Sequence, residues 1–151
     1  MDTSDKTSRE GRTVAPSSAK VDSTPVHIRV PSTAASVPFA RQQLREWMTD
    51  LGSSSDHIDD ARLVFSELIA NSIRHARPLP DGNLLLAWRV EDHELTVSVT
   101  DGGGPTVPRP ITASASAPAG RGMAIIETLA NFWWAEQTRS RCTVHACLAL
   151  A

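Results

Sequence analysis

Three short segments in a fixed order restrict how this chain can fold more than anything else in it: ELIAN at Glu67 to Asn71, VTDGGG at Val99 to Gly104, and GRGM at Gly120 to Met123. The first puts a carboxylate and an amide four residues apart, on one face of a helix. The second closes a strand-like run with an aspartate and three glycines, a composition that lets backbone come close to a ligand. In the third, two glycines precede an apolar helical pattern, so that unpaired backbone N–H groups and the positive end of the helix dipole would face an anion. Their order and spacing point to one nucleotide site assembled from a helix face, a strand end and a helix start.

The pattern around these segments supplies the elements. Val26 to Val30 alternates as a half-buried strand. Pro31 then breaks it, and Ser32 or Thr33 is placed to cap a helix through Val37, Phe39, Ala40, Leu44, Trp47, Met48 and Leu51, which Gly52 ends. Ser55 or Asp56 is placed to cap a second helix with the stripe Ile58, Ala61, Phe65, Leu68, Ile69, Ser72 and Ala76, stopped by Pro78 and Pro80. Leu84 to Val90 and Glu94 to Thr100 read as a hairpin. Gly102 to Gly120 has almost nothing to bury, and a loop of that length is usually functional or mobile. A helix from about Met123 to Ala130 and strands at Phe132 to Glu136 and Cys142 to Leu150 complete the list, with Trp133 and Trp134 expected in the core. The expected fold is α+β: a two-layer α/β sandwich of three main helices on one mixed or antiparallel sheet, over residues 25–151. Residues 1–24 carry only Met1, Val14, Ala15, Ala19 and Val21 as apolar side chains, too few to offset an ordering entropy of roughly 1–2 kcal/mol per residue. They read as a disordered tail.

At these residues the chain resembles the GHKL, or Bergerat-fold, ATPases, and within them small single-domain members of the anti-sigma-factor serine/threonine kinase type. The family's N box, E-x-x-x-N, is matched by Glu67 and Asn71, its first glycine box by Asp101 and Gly103, and its second by Gly120 and Gly122. The fifth position of the first glycine box is Pro105; a further threonine near the family's C-terminus is matched by Thr143, preceded here by Cys142. The resemblance implies ATP and Mg²⁺ as ligands. It implies that Glu67 is catalytic, positioning or deprotonating the attacking hydroxyl or water, and that Asn71 holds Mg²⁺ through its side-chain oxygen. Asp101 would accept from the adenine amine, which disfavours guanine. Backbone of Gly120, Gly122 and Met123 would meet phosphates, with Arg121 either adding a charged contact or facing solvent, and Thr143 would complete the site. The loop after Gly102 would be a lid. Implied partners are an anti-anti-sigma protein of the STAS type, as phosphoacceptor, and a sigma factor to be sequestered, with a homodimer left open. Two other readings stay open: a non-catalytic nucleotide-gated interaction module, and a detached histidine-kinase catalytic domain acting in trans.

Composition narrows the classes further. With 151 residues the chain is large enough for one domain with its own core. A net charge of −2 without a Lys/Arg run gives no nucleic-acid footprint. No apolar run approaches the roughly 20 residues of a membrane span, and no signal-peptide core is visible, so a cytoplasmic protein is expected. Cys142 and Cys147, five apart in one strand-like run, point to opposite faces and are expected as a buried reduced pair. His75, one turn beyond Asn71, reads as a surface or capping residue.

Overall fold

The computed structural model describes residues 24–104 and 118–150, with residues 118–123 described by backbone alone. The elements follow the order β1 (Val26–Pro31), α1 (Ser36–Leu51), α2 (Ser55–His75), β2 (Asn83–Glu91), β3 (Glu94–Asp101), α3 (Pro118–Leu129), β4 (Phe132–Gln137) and β5 (Cys142–Ala149). The strands form one five-stranded sheet ordered β1-β2-β3-β5-β4. Every neighbouring pair is antiparallel. With three helices on one side among the described residues, this is the expected α/β sandwich, its sheet wholly antiparallel.

Side chains alternate between the two faces of each strand, and the burial follows that period of two. Leu84, Leu86, Trp88 and Val90 of β2, Leu95, Val97 and Val99 of β3, and Val144, Ala146 and Leu148 of β5 are buried beneath the helices. From above, α1 contributes Ala40, Leu44 and Met48, α2 contributes Ala61, Val64, Phe65, Leu68 and Ile69, and α3 contributes Ile126. Trp88 is the pivot: its ring meets Phe65 edge-on at 5.6 Å and Trp47 at 6.4 Å. Each fully buried Leu, Ile, Phe or Met of this set contributes about 1.5–3 kcal/mol. The β2–β3 hairpin turns on Asp92 and His93, at φ 54° and 61°, the left-handed pair that a two-residue turn requires.

Several local expectations shift. Ser32 and Thr33 do not cap α1; Ala35 is its N-cap without a side-chain bond, and Ser36 instead donates its hydroxyl to the Pro31 carbonyl at 2.6 Å. Gly52 ends α1 in the left-handed conformation, as expected. The cap of α2 is Ser54, one residue before Ser55, its hydroxyl accepting from the His57 N–H at 3.2 Å. Trp133 packs against the core, whereas Trp134 faces the other side of the sheet, is 37% exposed and stacks on His145 at 4.6 Å. Adjacent strand residues cannot share a face, so only one of the two could enter the core. Cys142 and Cys147 are both free and buried. The expected tail up to residue 23, Pro105, most of the expected lid, and the side chains of Arg121 and Met123 lie outside the described residues.

Candidate functional site

The site is built where the end of α2 meets the end of β3. Helix α2 stops at His75, with Ala76 as an extended C-cap ahead of Pro78. The chain leaving it runs beside the glycines that follow Asp101: the Gly102 N–H donates to the Arg77 carbonyl at 2.7 Å, and the Arg77 N–H donates to the Gly103 carbonyl at 2.8 Å. This approach needs glycine. A Cβ on Gly102 would lie 2.2 Å from the Pro78 carbonyl oxygen, and one on Gly104 would lie 2.7 Å from that of His75. Gly103, between them, has φ +85° and faces open space. The three glycines thus clamp one strand end to one helix end and leave a free side at their middle.

Asp101 sits inside this clamp and is 4% exposed. One carboxylate oxygen accepts from the Gly103 N–H at 2.8 Å, and the Ser72 hydroxyl donates to the carboxylate from α2. Burial pushes its pKa above the ordinary 3.8, and the bonds from Ser72 and Gly103 hold it back only in part. An ionised carboxylate can accept about four hydrogen bonds, so two donors leave capacity for a ligand N–H. A buried charge held by so few partners is costly as structure and is typical of a functional position.

From Asp101 the other residues run up α2. Ser72 and Asn71 are adjacent, and Asn71 and Glu67 are one turn apart on the same stripe, with Ser72 buried and the other two partly buried. At about 1.5 Å per residue, Glu67 stands about 6 Å along the axis from Asn71. The side-chain oxygen of Asn71 is buried in the same region. No cluster of three or more His, Cys, Asp or Glu able to hold a metal exists among the described residues. A resident cation with an all-protein cage is therefore not what these residues offer. A single amide oxygen fits Mg²⁺ arriving with a triphosphate, where phosphate oxygens and water complete the shell. The buried acceptor at Asp101, the open middle of the glycine clamp and the Asn71 amide together fit a Mg²⁺-nucleotide whose base presents an N–H donor.

Two expected members differ. Helix α3 begins at Pro118, five residues before Met123, so Gly120, Arg121 and Gly122 belong to its first two turns and do not precede it. Proline suits a first helical position, because its missing N–H would have no partner there. The N–H groups of the helix left free for an anion are then those of Ala119 and Gly120. Thr143 is not brought to the site: it lies on the sheet face away from the helices, with its hydroxyl 2.8 Å from that of Thr100. The residue opposite Asp101 is Cys142, whose thiol is buried and raised in pKa first by that burial and then by the Asp101 charge. Ser72 and Cys142 are the site residues that sequence reasoning missed. Ser72 had a signal, as a hydroxyl within a buried stripe directly after Asn71; Cys142 became visible only with the β3–β5 register. His75 is exposed in the last turn of α2, and its carbonyl, not its ring, abuts the glycine loop.

A profile of the histidine kinase-like ATPase domain matches residues 30–144. An anti-sigma F factor of Clostridium acetobutylicum is 32% identical over 65 residues, covering 43% of this chain and 46% of that protein. A serine-protein kinase RsbW of Staphylococcus epidermidis is 26% identical over 80 residues, covering 52% of this chain and 50% of that protein. The chain therefore spans about half the length of the curated relatives it matches. The crystal structure of the RsbU and RsbW domains of a Mycobacterium tuberculosis protein matches with a TM-score of 0.66 at 23% identity, covering 85% of this chain and 33% of that chain. At that identity the likeness carries the fold.

Proposed function

The chain belongs to the histidine kinase-like ATPase domain family, and on that premise we propose that it is an ATP-binding regulator of the anti-sigma-factor kinase type. It transfers the γ-phosphoryl of ATP to a Ser or Thr of a STAS-domain anti-anti-sigma partner, and it sequesters a sigma factor. The observation that carries the nucleotide half is Asp101, buried, held by two donors, and with acceptor capacity left beside the open glycine loop. The names of the relatives support the protein-partner half. In this reading Asp101 binds the base and Asn71 supplies the Mg²⁺ ligand. Mg²⁺ held there would supply neutralisation of phosphate charge, while Glu67 orients the acceptor hydroxyl and takes its proton.

The test is calorimetric titration with ATP, with and without Mg²⁺ and with GTP as control, followed by labelled phosphoryl transfer to STAS-domain proteins of the source organism. Mg²⁺-dependent, ATP-selective binding and transfer are expected. Glu67→Ala should lower transfer by roughly 10²–10⁴ with ATP affinity retained, and Asn71→Ala should remove the Mg²⁺ dependence. Absence of ATP binding at millimolar concentration would overturn the reading. ATP binding and partner switching that survive Glu67→Ala would instead assign a nucleotide-gated interaction module without catalysis.

A further inference from the structure

Along α2 the proposed nucleotide residues occur in a fixed sequence: Ser72, which bonds Asp101 at the base end, then Asn71, then Glu67 at the transferring end. One further turn in the same direction, on the same stripe, is Leu63, which is 44% exposed. It is not a lone apolar surface residue, which would need no explanation. With Ala124, Ile125, Thr128 and Leu129 of α3 it lines an open apolar groove of about 290 Å³ between the two helices. Three acidic residues stand around Leu63 at helical spacing: Asp59 four before it, Asp60 three before it, and Glu67 four after it. None of the three is ion-paired with another described residue.

We propose that this groove docks the protein phosphoacceptor, gripping one apolar side chain that is flanked by Lys or Arg and lies close to the acceptor hydroxyl. The proposal rests on the kinase reading above and names how its protein substrate is recognised. Two features of the groove select this occupant. The groove continues the line from base to transferring end, so that whatever fills it brings its neighbouring atoms to Glu67. The acidic residues at helical spacing from Leu63, along the α2 side of an apolar floor, are complementary to a basic-apolar segment and repel an acidic one. An apolar anchor in a pocket gives affinity, while those charges set encounter rate and partner choice.

The experiment uses the full chain, Mg²⁺-ATP, and the STAS-domain protein that the wild type phosphorylates best. Leu63→Arg, Leu63→Ala and the pair Asp59→Lys with Asp60→Lys are compared for ATP affinity, thermal unfolding, and KM and kcat toward that protein. The expected result is a rise in KM on the order of tenfold for Leu63→Arg, a smaller rise for Leu63→Ala, and unchanged ATP affinity and unfolding temperature. The Asp pair should raise KM and flatten its salt dependence, with partial recovery when a Lys or Arg of the acceptor is changed to Glu. Wild-type KM in all three variants would overturn the docking proposal and leave the kinase reading standing. A wild type that phosphorylates none of the STAS proteins would overturn the kinase reading, and the docking proposal would fall with it. Weakened ATP binding in Leu63→Arg with KM for the protein unchanged would overturn it differently, by assigning the groove to nucleotide binding instead of docking.

Discussion

Asp101 carries a conflict that can be measured on one residue. Burial favours its neutral form, while the Ser72 hydroxyl and Gly103 N–H favour the ion, and burial is the larger influence. Because its folded pKa lies above the ordinary 3.8, protonation stabilises the fold. That contribution is fully present below about 3.8 and is lost as pH rises through the folded value. Where Asp101 is ionised, the domain therefore holds a carboxylate that the fold itself would rather have neutral. Asp101→Asn keeps the shape and an acceptor for Gly103, and Ser72 can turn its hydroxyl to accept from the amide. Thermal unfolding without nucleotide should place the Asn variant above wild type at pH 7, with the gap closing as pH falls through the folded value and gone below about 3.8. The same variant should lose its preference for ATP over GTP. An Asn variant less stable than wild type at pH 7 would show that the two hydrogen bonds outweigh desolvation.

The element that makes the site is the close pass of residues 75–78 against Gly102–Gly104, and only part of it was legible beforehand. Asp followed by three glycines announced a tight backbone approach, yet what they approach is the C-terminal exit of α2, set by Pro78 and by a sheet register that no local pattern reports. The hairpin and the buried stripe of α2 were legible because alternation and helical spacing are strong periodic signals. The start of α3 was not, since Pro-Ala-Gly-Arg-Gly carries loop propensity, and packing along α2 overrides it. Thr143 was misplaced for a related reason: a shift of one residue in register exchanges the faces of a strand, and β5 takes its register from β3. The close pass yields its own prediction. In Gly102→Ala the new Cβ meets a main-chain oxygen at 2.2 Å, so the backbone must move. Urea unfolding should show a loss of about 1–3 kcal/mol with the slope of the transition unchanged, and ATP binding should weaken with it. Wild-type values for both would mean that the loop does not hold its position against α2.

At the scale of the whole molecule, the proposed nucleotide site joins parts that are far apart in sequence. Helix α2 supplies Glu67, Asn71 and Ser72, β3 supplies Asp101, and the start of α3 supplies backbone N–H groups. The sheet and the α1–α2 layer are locked by buried Phe65, Leu44, Met48 and Trp88, whereas among the described side chains of α3 Ile126 alone is buried in the core, with Leu129 packed against it. A ligand that bridges α2, the end of β3 and the start of α3 should therefore stabilise the domain as a unit. Binding to the folded state alone adds RT ln(1 + [L]/Kd), about 2.7 kcal/mol at a hundredfold excess over Kd. For a domain of this size that corresponds to a rise in unfolding temperature of roughly 5–15 °C. The rise should require Mg²⁺ and ATP together, be absent with GTP, and vanish in Asn71→Ala. Hydrogen exchange should slow with Mg²⁺-ATP both at Gly102–Gly104 and in the first turns of α3, because one ligand spans them. Protection confined to the glycine loop would mean that the base is held but the phosphates do not reach α3, and the second glycine box would then have no part in binding.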